Sequence, residues 1–125
     1  MLQITRQTEY AIRGLQELTR RNDDAPVQLK VLAGSCEVSE AFLAKIFQML
    51  GQAGIVKSHR GVKGGFSLGK PASQITLREI VEISEGGILL NHCVRGEEPC
   101  KERENCLIAP VWQEAQRALT GTLER

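Results

Sequence analysis

The chain has 125 residues, of which 42% are hydrophobic, and carries a formal net charge of +1 at neutral pH. This length suits one small domain, or one small domain with an added helical arm. No run of residues reaches the roughly 18 apolar positions of a membrane span, and the N-terminus lacks the apolar block of a signal peptide. We therefore expect a cytoplasmic protein without a membrane partner, in which thiols stay reduced and metal binding is favoured over disulfides.

The first predicted element is an amphipathic helix near the N-terminus. Thr5 has a side chain suited to cap it, and Arg20 and Arg21 suit its C-terminal end, where the helix dipole favours positive charge. Glu9 lies off the apolar side, one turn before Arg13, so its ordinary interpretation is a surface ion pair. The inward positions recur with the helical period and are Ile4, Thr8, Ala11, Ile12, Leu15 and Leu18.

Two helices joined by a tight turn are predicted next. The first covers residues 28–36 with Leu29, Leu32 and Ala33 inward, and Ser39 is placed to cap a second helix that runs to about Gln52. The inner face of the second helix consists of Phe42, Leu43, Ile46, Phe47 and Leu50. Its outer face is small and polar, and consists of Glu40, Ala41, Ala44, Lys45, Gln48 and Gln52. Such a pair is typical of a helix-turn-helix, whose second helix enters the DNA major groove.

A basic, glycine-rich hairpin is predicted directly after the second helix. Residues 57–70 contain four lysines and arginines and no acidic residue. Gly61, Gly64 and Gly65 mark the tip between two short strands. This order indicates the wing of a winged helix, whose tip would place Arg60 or Lys63 in a minor groove. A solvated basic hairpin without a DNA role is the competing interpretation.

The expected DNA contacts therefore lie on two elements, the start of the second helix and the hairpin. His59 is interpreted as a phosphate contact, and Cys36, between the two helices, as a small core residue. The complete set of expected DNA-binding residues is Ser39, Glu40, Ala41, Lys45, Lys57, His59, Arg60, Lys63, Gly64 and Gly65.

The rest of the chain differs in charge and predicts two more helices. Residues 76–85 predict a helix with a Thr76–Glu79 capping box, which Gly86 and Gly87 end. Its inward positions are Leu77, Ile80, Val81 and Ser84. Residues 76–104 contain seven acidic and four basic residues, so this half suits nucleic acid poorly. Residues 107–123 predict a last helix that Pro110 could interrupt. We expect its apolar side to pack against a second copy of the chain, with packing onto its own core as the alternative. The apolar positions are Val111, Trp112, Ala115, Leu119 and Leu123.

Three of the four cysteines stand between these two helices. Cys93, Cys100 and Cys106 form the pattern C-x6-C-x5-C in a turn-rich segment that can bring three thiolates to one centre. Soft thiolates favour zinc, copper(I) or an iron–sulfur cluster. Zinc or a closed cluster takes four ligands, so one ligand must come from elsewhere. His92, beside Cys93, is one candidate, and a disulfide framework is the alternative to metal.

Taken together, these motifs resemble the family of iron–sulfur winged-helix transcription regulators that includes IscR and NsrR. The resemblance rests on TRQTEYAIRGL at residues 5–15, on the stretch from residue 38 to 73 with its R-G-x-x-G-G-F wing and L-G-K-P continuation, and on the cysteine triplet. It covers nearly the whole chain. It implies a homodimer that binds a double-stranded DNA operator of two half-sites, with a C-terminal helix crossing between subunits.

The resemblance also implies a 2Fe–2S or 4Fe–4S cluster held by Cys93, Cys100 and Cys106, whose state sets the DNA affinity. One branch of the family takes its fourth ligand from a histidine three residues after the last cysteine, and here Ala109 occupies that position. Another branch uses an acidic residue of the first helix, and the matching position is Glu9, which in a crossed dimer could come from the partner subunit. This places the chain nearer the carboxylate-ligated, nitric-oxide-sensing branch.

The sequence thus predicts a mainly α protein with a small β wing: a winged helix-turn-helix domain over residues 1–75, then cluster-binding and dimerisation elements over 76–125. The predicted function is a DNA-binding transcriptional regulator, of the repressor kind, controlled by an iron–sulfur cluster that senses nitric oxide, redox state or iron status. The alternative is a zinc-stabilised or metal-free regulator without cluster sensing. We expect neither an enzyme nor a small-molecule substrate, since no nucleophile–base pairing or phosphate-cradling loop is evident.

Overall fold

The computed structural model describes residues 4–21, 25–62, 64–88, 90 and 107–124. The elements follow one another as α1 (Arg6–Arg21), α2 (Leu29–Cys36), α3 (Glu40–Gln52), β1 (Val56–His59), β2 (Gly65–Leu68), a single 3-10 turn (Ala72–Gln74), α4 (Leu77–Glu85) and α5 (Ala109–Leu123). No helix in these ranges is both long and apolar enough to span a bilayer.

Helix α1 is the central packing element, in contact with α2, α3 and α4. Thr5 caps it as predicted, since the Thr5 hydroxyl accepts from the Thr8 amide at 3.3 Å. At Gly14 the ring of Phe47 from α3 lies so close that an added Cβ would stand 2.6 Å from Phe47 Cε1. Glycine therefore lets α1 and α3 approach more closely than any other residue would.

Helices α2 and α3 form the predicted helix-turn-helix. Glu37 ends α2 in the left-handed conformation, with φ 55° and ψ 46°, and its amide donates to the last carbonyls of α2. Ser39 then caps α3 by accepting from the Phe42 amide at 3.2 Å. The two polar positions between the helices therefore turn the chain through local hydrogen bonds.

The strands β1 and β2 pair antiparallel, with Val56 opposite Leu68 and His59 opposite Gly65. Val27, just before α2, adds a bridge to Phe66 on the far edge of this sheet. Phe66 packs edge-on against Phe47, with 5.0 Å between the ring centroids. The hairpin is therefore held to the helical core on its apolar face.

The core lies where α1, α2, α3 and β1 meet. Its fully buried side chains are Leu32, Leu43, Ile46, Phe47, Leu50, Ile55 and Thr8. The predicted inner face of α3 is confirmed, and so is the buried position of Cys36. Two predicted inward residues differ, because Ile4 is 52% exposed before the helix begins and Leu77 is 40% exposed in the first turn of α4.

Helix α5 begins at Ala109, so Pro110 lies in the first turn and does not interrupt the helix. Proline suits this position because the first amides of a helix have no intrahelical partner. Its predicted apolar side remains open in the single chain, with Val111 62% and Trp112 39% exposed. Packing of α5 onto the core of its own chain therefore covers only part of the helix surface.

Candidate DNA-binding surface and cysteine segment

The first candidate surface is the outer face of α3. Ser39 caps the helix, and Glu40, Ala41 and Lys45 are exposed on its first two turns. The side chains at the start of the helix are short or slender, and Lys45, about one turn later, is cationic. Such a face can approach base edges and place one positive charge beside a phosphate.

The second candidate surface is the outer face of the hairpin. Lys57, His59 and Arg60 are all exposed, and His59 Nε2 lies 2.8 Å from Ser67 Oγ across the strand pair. Because strand residues alternate between faces, Lys57, His59 and Ser67 share the side opposite the apolar residues Val56 and Phe66. The hairpin thus separates a basic outer face from a packed inner face.

An open groove of about 580 Å³ lies between the C-terminal half of α3 and the hairpin. Gln48 and Gln52 of α3 and Lys57 and His59 of β1 line it, together with apolar side chains of the hairpin's inner face. The α3 residues predicted to bind DNA lie nearer the start of the helix and do not line this groove.

The hairpin glycines have specific steric roles. Gly64 is buried, and an added Cβ would meet the carbonyls of His59 and Gly61. Gly65 has φ 151°, and an added Cβ would run into the carbonyl of Val27. Both glycines, which are predicted to bind DNA, are thus also required for the shape of the hairpin.

The charge of the hairpin is smaller than the sequence suggested. Lys70 was counted among the unopposed cations, but its Nζ lies 2.7 Å from Glu79 Oε1 of α4. This contact also changes the predicted capping box. Thr76 accepts from the Glu79 amide at 3.1 Å, whereas the Glu79 carboxylate binds Lys70 and not the Thr76 amide. Lys63 lies outside the described residues.

Glu9 lies on the exposed side of α1. Its Oε1 is 2.7 Å from Arg13 Nη2, and its side chain is 45% exposed. This is the i,i+4 ion pair that the sequence indicates, and such exposed pairs contribute only about 0.3–0.5 kcal/mol. The carboxylate is therefore accessible and weakly held.

One turn from Glu9, a network of hydrogen bonds joins α1 to α4. Glu85 Oε1 accepts from the Thr5 amide at 2.8 Å, the Thr5 hydroxyl at 3.0 Å and the Thr8 hydroxyl at 2.6 Å. The Thr5 amide and then the Thr8 hydroxyl hold the pKa of Glu85 below its ordinary value, because each donates to the charged form. We call this the Glu85 latch, consisting of Thr5, Thr8 and Glu85.

The cysteine segment starts just beyond this latch. Gly86 and Gly87 end α4 with φ of 79° and 147°. The Gln116 side chain of α5 then binds the carbonyl of Ile88 and accepts from the Leu90 amide at 3.0 Å. The chain that leads into the cysteines is therefore fixed to both α4 and α5.

Cys93, Cys100, Cys106 and the alternative ligand His92 all lie outside the described residues, so the proposed ligand set stays a prediction. Within the described part, no three histidines, cysteines or acids are grouped to hold a metal. The fourth cysteine, Cys36, is buried, and burial raises the pKa of its thiol. Cys36 is therefore unsuited to supply a thiolate to the segment.

The residues present fit an iron–sulfur cluster on their chemistry. Three thiolates in one segment supply soft ligands, and Glu9 supplies an accessible carboxylate at the same end of α1 as the latch. Arg13 is the only described ion-pair partner of Glu9, and the ion pair is weak enough for a metal to displace it.

Sequence reasoning missed three positioning contacts. They are the Glu85 latch, the clamp of Gln116 on residues 88–90, and the hydrogen bond from Gln28 to the Val62 carbonyl. All join residues far apart in the chain, so no local pattern marks them. One hint was available, since Thr8 falls within the apolar side of α1 and a buried hydroxyl needs a partner.

The chain was compared with protein families, with individual proteins and with solved structures. The profile of the family described as "Rrf2: Iron-dependent Transcriptional regulator" matches residues 4–125. Protein aau3 of Rhizobium meliloti is 34% identical over 124 residues, which cover 98% of this chain and 80% of that protein. The HTH-type transcriptional regulator IscR of Photorhabdus laumondii is 28% identical over 122 residues, 98% of this chain and 74% of that protein.

Among solved structures, that of CymR, titled the global cysteine regulator of B. subtilis, is similar with a TM-score of 0.79. The two are 31% identical, and the match covers 98% of this chain and 90% of that one. The predicted fold, mostly helical with a two-stranded wing, is confirmed by this similarity and by the elements described above.

Proposed function

This chain belongs to the Rrf2 family of transcriptional regulators, and from that premise we propose that it is a homodimeric repressor whose affinity for its operator is set by an iron–sulfur cluster. The DNA-reading part is residues 1–75, and the sensing and dimerisation part is residues 76–125. The observation that supports the DNA-binding mode is the exposed, polar start of α3, followed along the chain by a hairpin on which Lys57, His59 and Arg60 are exposed.

In this mode α3 enters the major groove, and the tip of the hairpin follows the adjacent backbone into the minor groove. Ser39, Glu40 and Ala41 approach the base edges, and Lys45, Lys57 and Arg60 neutralise phosphates. His59, Lys63, Gly64 and Gly65 complete the contacts of the hairpin. The Lys70 charge does not add to this surface, because Glu79 neutralises it.

The experiment for this mode is operator binding as a function of salt. Arg60→Ala should weaken binding and lower the slope of log K against log salt by about one, since one phosphate contact is lost. Arg20→Ala is the matched control, because Arg20 is an exposed cation on α1 that lies 3.9 Å from Glu17 and so is only weakly paired with it. Equal slopes for Arg60→Ala and Arg20→Ala would reject the wing contact.

For sensing, we propose that Cys93, Cys100 and Cys106 hold the cluster and that Glu9, from the same or the partner subunit, is the fourth ligand. When bound, the cluster supplies a centre that exchanges electrons and reacts with nitric oxide or oxygen. A carboxylate is a harder and weaker ligand for iron than a thiolate, so Glu9 is the ligand most easily released.

Release of Glu9 has a consequence within this chain. Glu9 lies on α1, and α1 packs directly against the recognition helix α3. Bound to a cluster, Glu9 would tie α1 to the cysteine segment, whereas free Glu9 would pair with Arg13, 2.7 Å away. The state of one carboxylate thereby biases the position of the DNA-binding elements.

The visible absorption spectrum of anaerobically purified protein tests the cluster. Cys93→Ala, Cys100→Ala and Cys106→Ala should each abolish the iron–sulfur absorption while the protein remains folded. Glu9→Ala should retain a cluster with a shifted spectrum and weaker dependence of DNA binding on cluster state. Glu17→Ala is the control, since Glu17 is also an α1 acid that pairs with an arginine one turn on. An unaltered spectrum and unaltered switching in Glu9→Ala would leave His92 as the next candidate.

A second function, a regulator without cluster sensing, is favoured by the similarity to CymR, described as the global cysteine regulator of B. subtilis. Metal analysis separates the two. Iron and acid-labile sulfide support the cluster, zinc supports a structural site formed by the three cysteines with His92, and the absence of metal supports the metal-free regulator.

Dimerisation is proposed from the open apolar side of α5. Leu107 is 92% and Ile108 59% exposed, and Val111 and Trp112 continue this side along the helix. A second copy of the chain would cover it. Sedimentation analysis should give a dimer that Trp112→Glu, which places a charge on this side, converts to monomer.

A further inference from the structure

The outer end of the hairpin is attached to the helical body by one side chain. Gln28 Nε2 donates to the Val62 carbonyl at 3.2 Å, across 34 positions of sequence. Gln28 occupies the N-cap position of α2, yet its side chain makes no capping hydrogen bond. The amide of Gln28 is thus used to hold the hairpin tip and not to cap the helix.

The strands of the hairpin are held differently. Val27 and Phe66 exchange two backbone hydrogen bonds, of 2.9 and 2.8 Å, and Gly65 lies against the Val27 carbonyl. Residues 27 and 28 therefore contact two neighbouring parts of the hairpin. Val27 fixes strand β2 through backbone, and Gln28 fixes the turn beyond the strands through a side chain.

Among the described residues of the tip, no apolar side chain packs on the body to replace the Gln28 bond. Val62 is 96% exposed, and within the described residues the tip turn is closed by one further hydrogen bond, from the Gly64 amide to the Gly61 carbonyl at 2.9 Å. Gly61 has φ 107°, a conformation that glycine adopts without strain. Without Gln28 the turn from Arg60 to Gly64 would pivot on its glycines.

We propose that Gln28 is a positioning residue for DNA binding, which orients the hairpin tip so that Arg60 meets the duplex without a further loss of conformational freedom. This inference rests on the proposed contact between the hairpin and DNA. Because a segment that is ordered before binding loses less entropy on binding, the preorganised tip raises the affinity. Gln28 itself need not touch DNA.

The test is a double-mutant cycle between Gln28→Met and Arg60→Ala, measured as operator affinity. Methionine keeps the length of the side chain and removes the donor. Gln28→Met should weaken binding roughly 2- to 10-fold, the range of one net hydrogen bond. In the Arg60→Ala background it should cause a smaller loss, because the tip then has one contact fewer to position. Gln16→Met is the control, since Gln16 is an exposed glutamine on α1.

Backbone relaxation of the DNA-free protein gives a readout that does not depend on binding. Gln28→Met should lower the amide order parameters of Gly61 and Val62 and leave those of β1 and the urea midpoint unchanged. A merely structural role of Gln28 would lower the midpoint and act equally in both backgrounds.

The outcomes separate the inference from the function it rests on. An equal loss in both backgrounds means that Gln28 contacts DNA itself, and no loss in either means that the tip needs no tether; both overturn the inference and leave the wing contact standing. If Arg60→Ala alone binds like the wild type, the wing contact fails, and the positioning role fails with it.

Discussion

Replacing Glu85 by alanine removes the acceptor that joins α4 to the start of α1. Thr8 is fully buried, and its hydroxyl donates to Glu85 Oε1 at 2.6 Å. In Glu85→Ala that hydroxyl keeps only the Thr5 hydroxyl, 3.4 Å away. A buried polar group that loses its partner costs about 1–3 kcal/mol. We therefore expect a loss of about 2 kcal/mol in the free energy of unfolding.

Glu82→Ala is the matched control for this prediction. It removes the same charge from the same helix, but Glu82 pairs with Arg78 at 2.8 Å on the surface. Such pairs contribute about 0.3–0.5 kcal/mol. Urea unfolding followed by circular dichroism at pH 7, at one fixed protein concentration, should thus separate the two variants by more than 1 kcal/mol. A fixed concentration is needed because association shifts the apparent stability.

The same comparison can be made by heating. For a domain of this size, 2 kcal/mol corresponds to a fall of about 8 °C in Tm. Equal unfolding free energies for Glu85→Ala and Glu82→Ala, within about 0.5 kcal/mol, would show that the latch does not hold α1 to α4. The link we draw between the cysteine segment and α1 would then lose its structural support.

The remaining predictions concern pH, the hairpin and the helix-turn-helix. The folded-state pKa of Glu85 is lowered, so the wild type should be more stable than Glu85→Gln at pH 7. This difference in unfolding free energy should shrink as pH falls below the ordinary carboxyl pKa of about 4.3. A difference that grows in acid would contradict the latch. Gly65→Ala should impair operator binding, since its Cβ meets the Val27 carbonyl at a φ of 151°, whereas Gly34→Ala, with open space around it, should not; similar affinities would show that the hairpin adapts. Ser39→Ala should lower the unfolding free energy by about 1 kcal/mol through loss of the cap on α3. A change under about 0.3 kcal/mol would show that water replaces the Ser39 hydroxyl as the acceptor for the Phe42 amide.

Local sequence patterns were sufficient for the elements of this fold. The helix-turn-helix was predictable because Ser39 caps α3 through a neighbour three residues away, and because the inner face of α3 follows the helical period. Both signals act within a few residues. Pro110 shows the limit even there, since a proline marks either a break or a first turn, and only packing decides between them.

The contacts between elements were not predictable in this way. Glu79 fits the capping-box pattern, yet its carboxylate binds Lys70, because the chain after the wing passes beside the first turn of α4. Nothing near Glu85 in sequence identifies Thr8 as its partner. Of the candidate site, exposure of the α3 face and of Lys57, His59 and Arg60 agrees with the sequence-based expectation. The cluster ligands remain a prediction.

The close approach of Phe47 to Gly14 has a mechanical consequence. The Phe47 ring lies directly against α1 at Gly14, so a shift of α1 is passed to α3 through this ring. Helix α3 has 13 residues and is therefore about 20 Å long. Turning such a rod by about 5° about one end moves the other by about 1.7 Å, more than the tolerance of a hydrogen bond. A rotation of that size, passed from α1 through this contact, would be enough to displace a contact made at the start of α3.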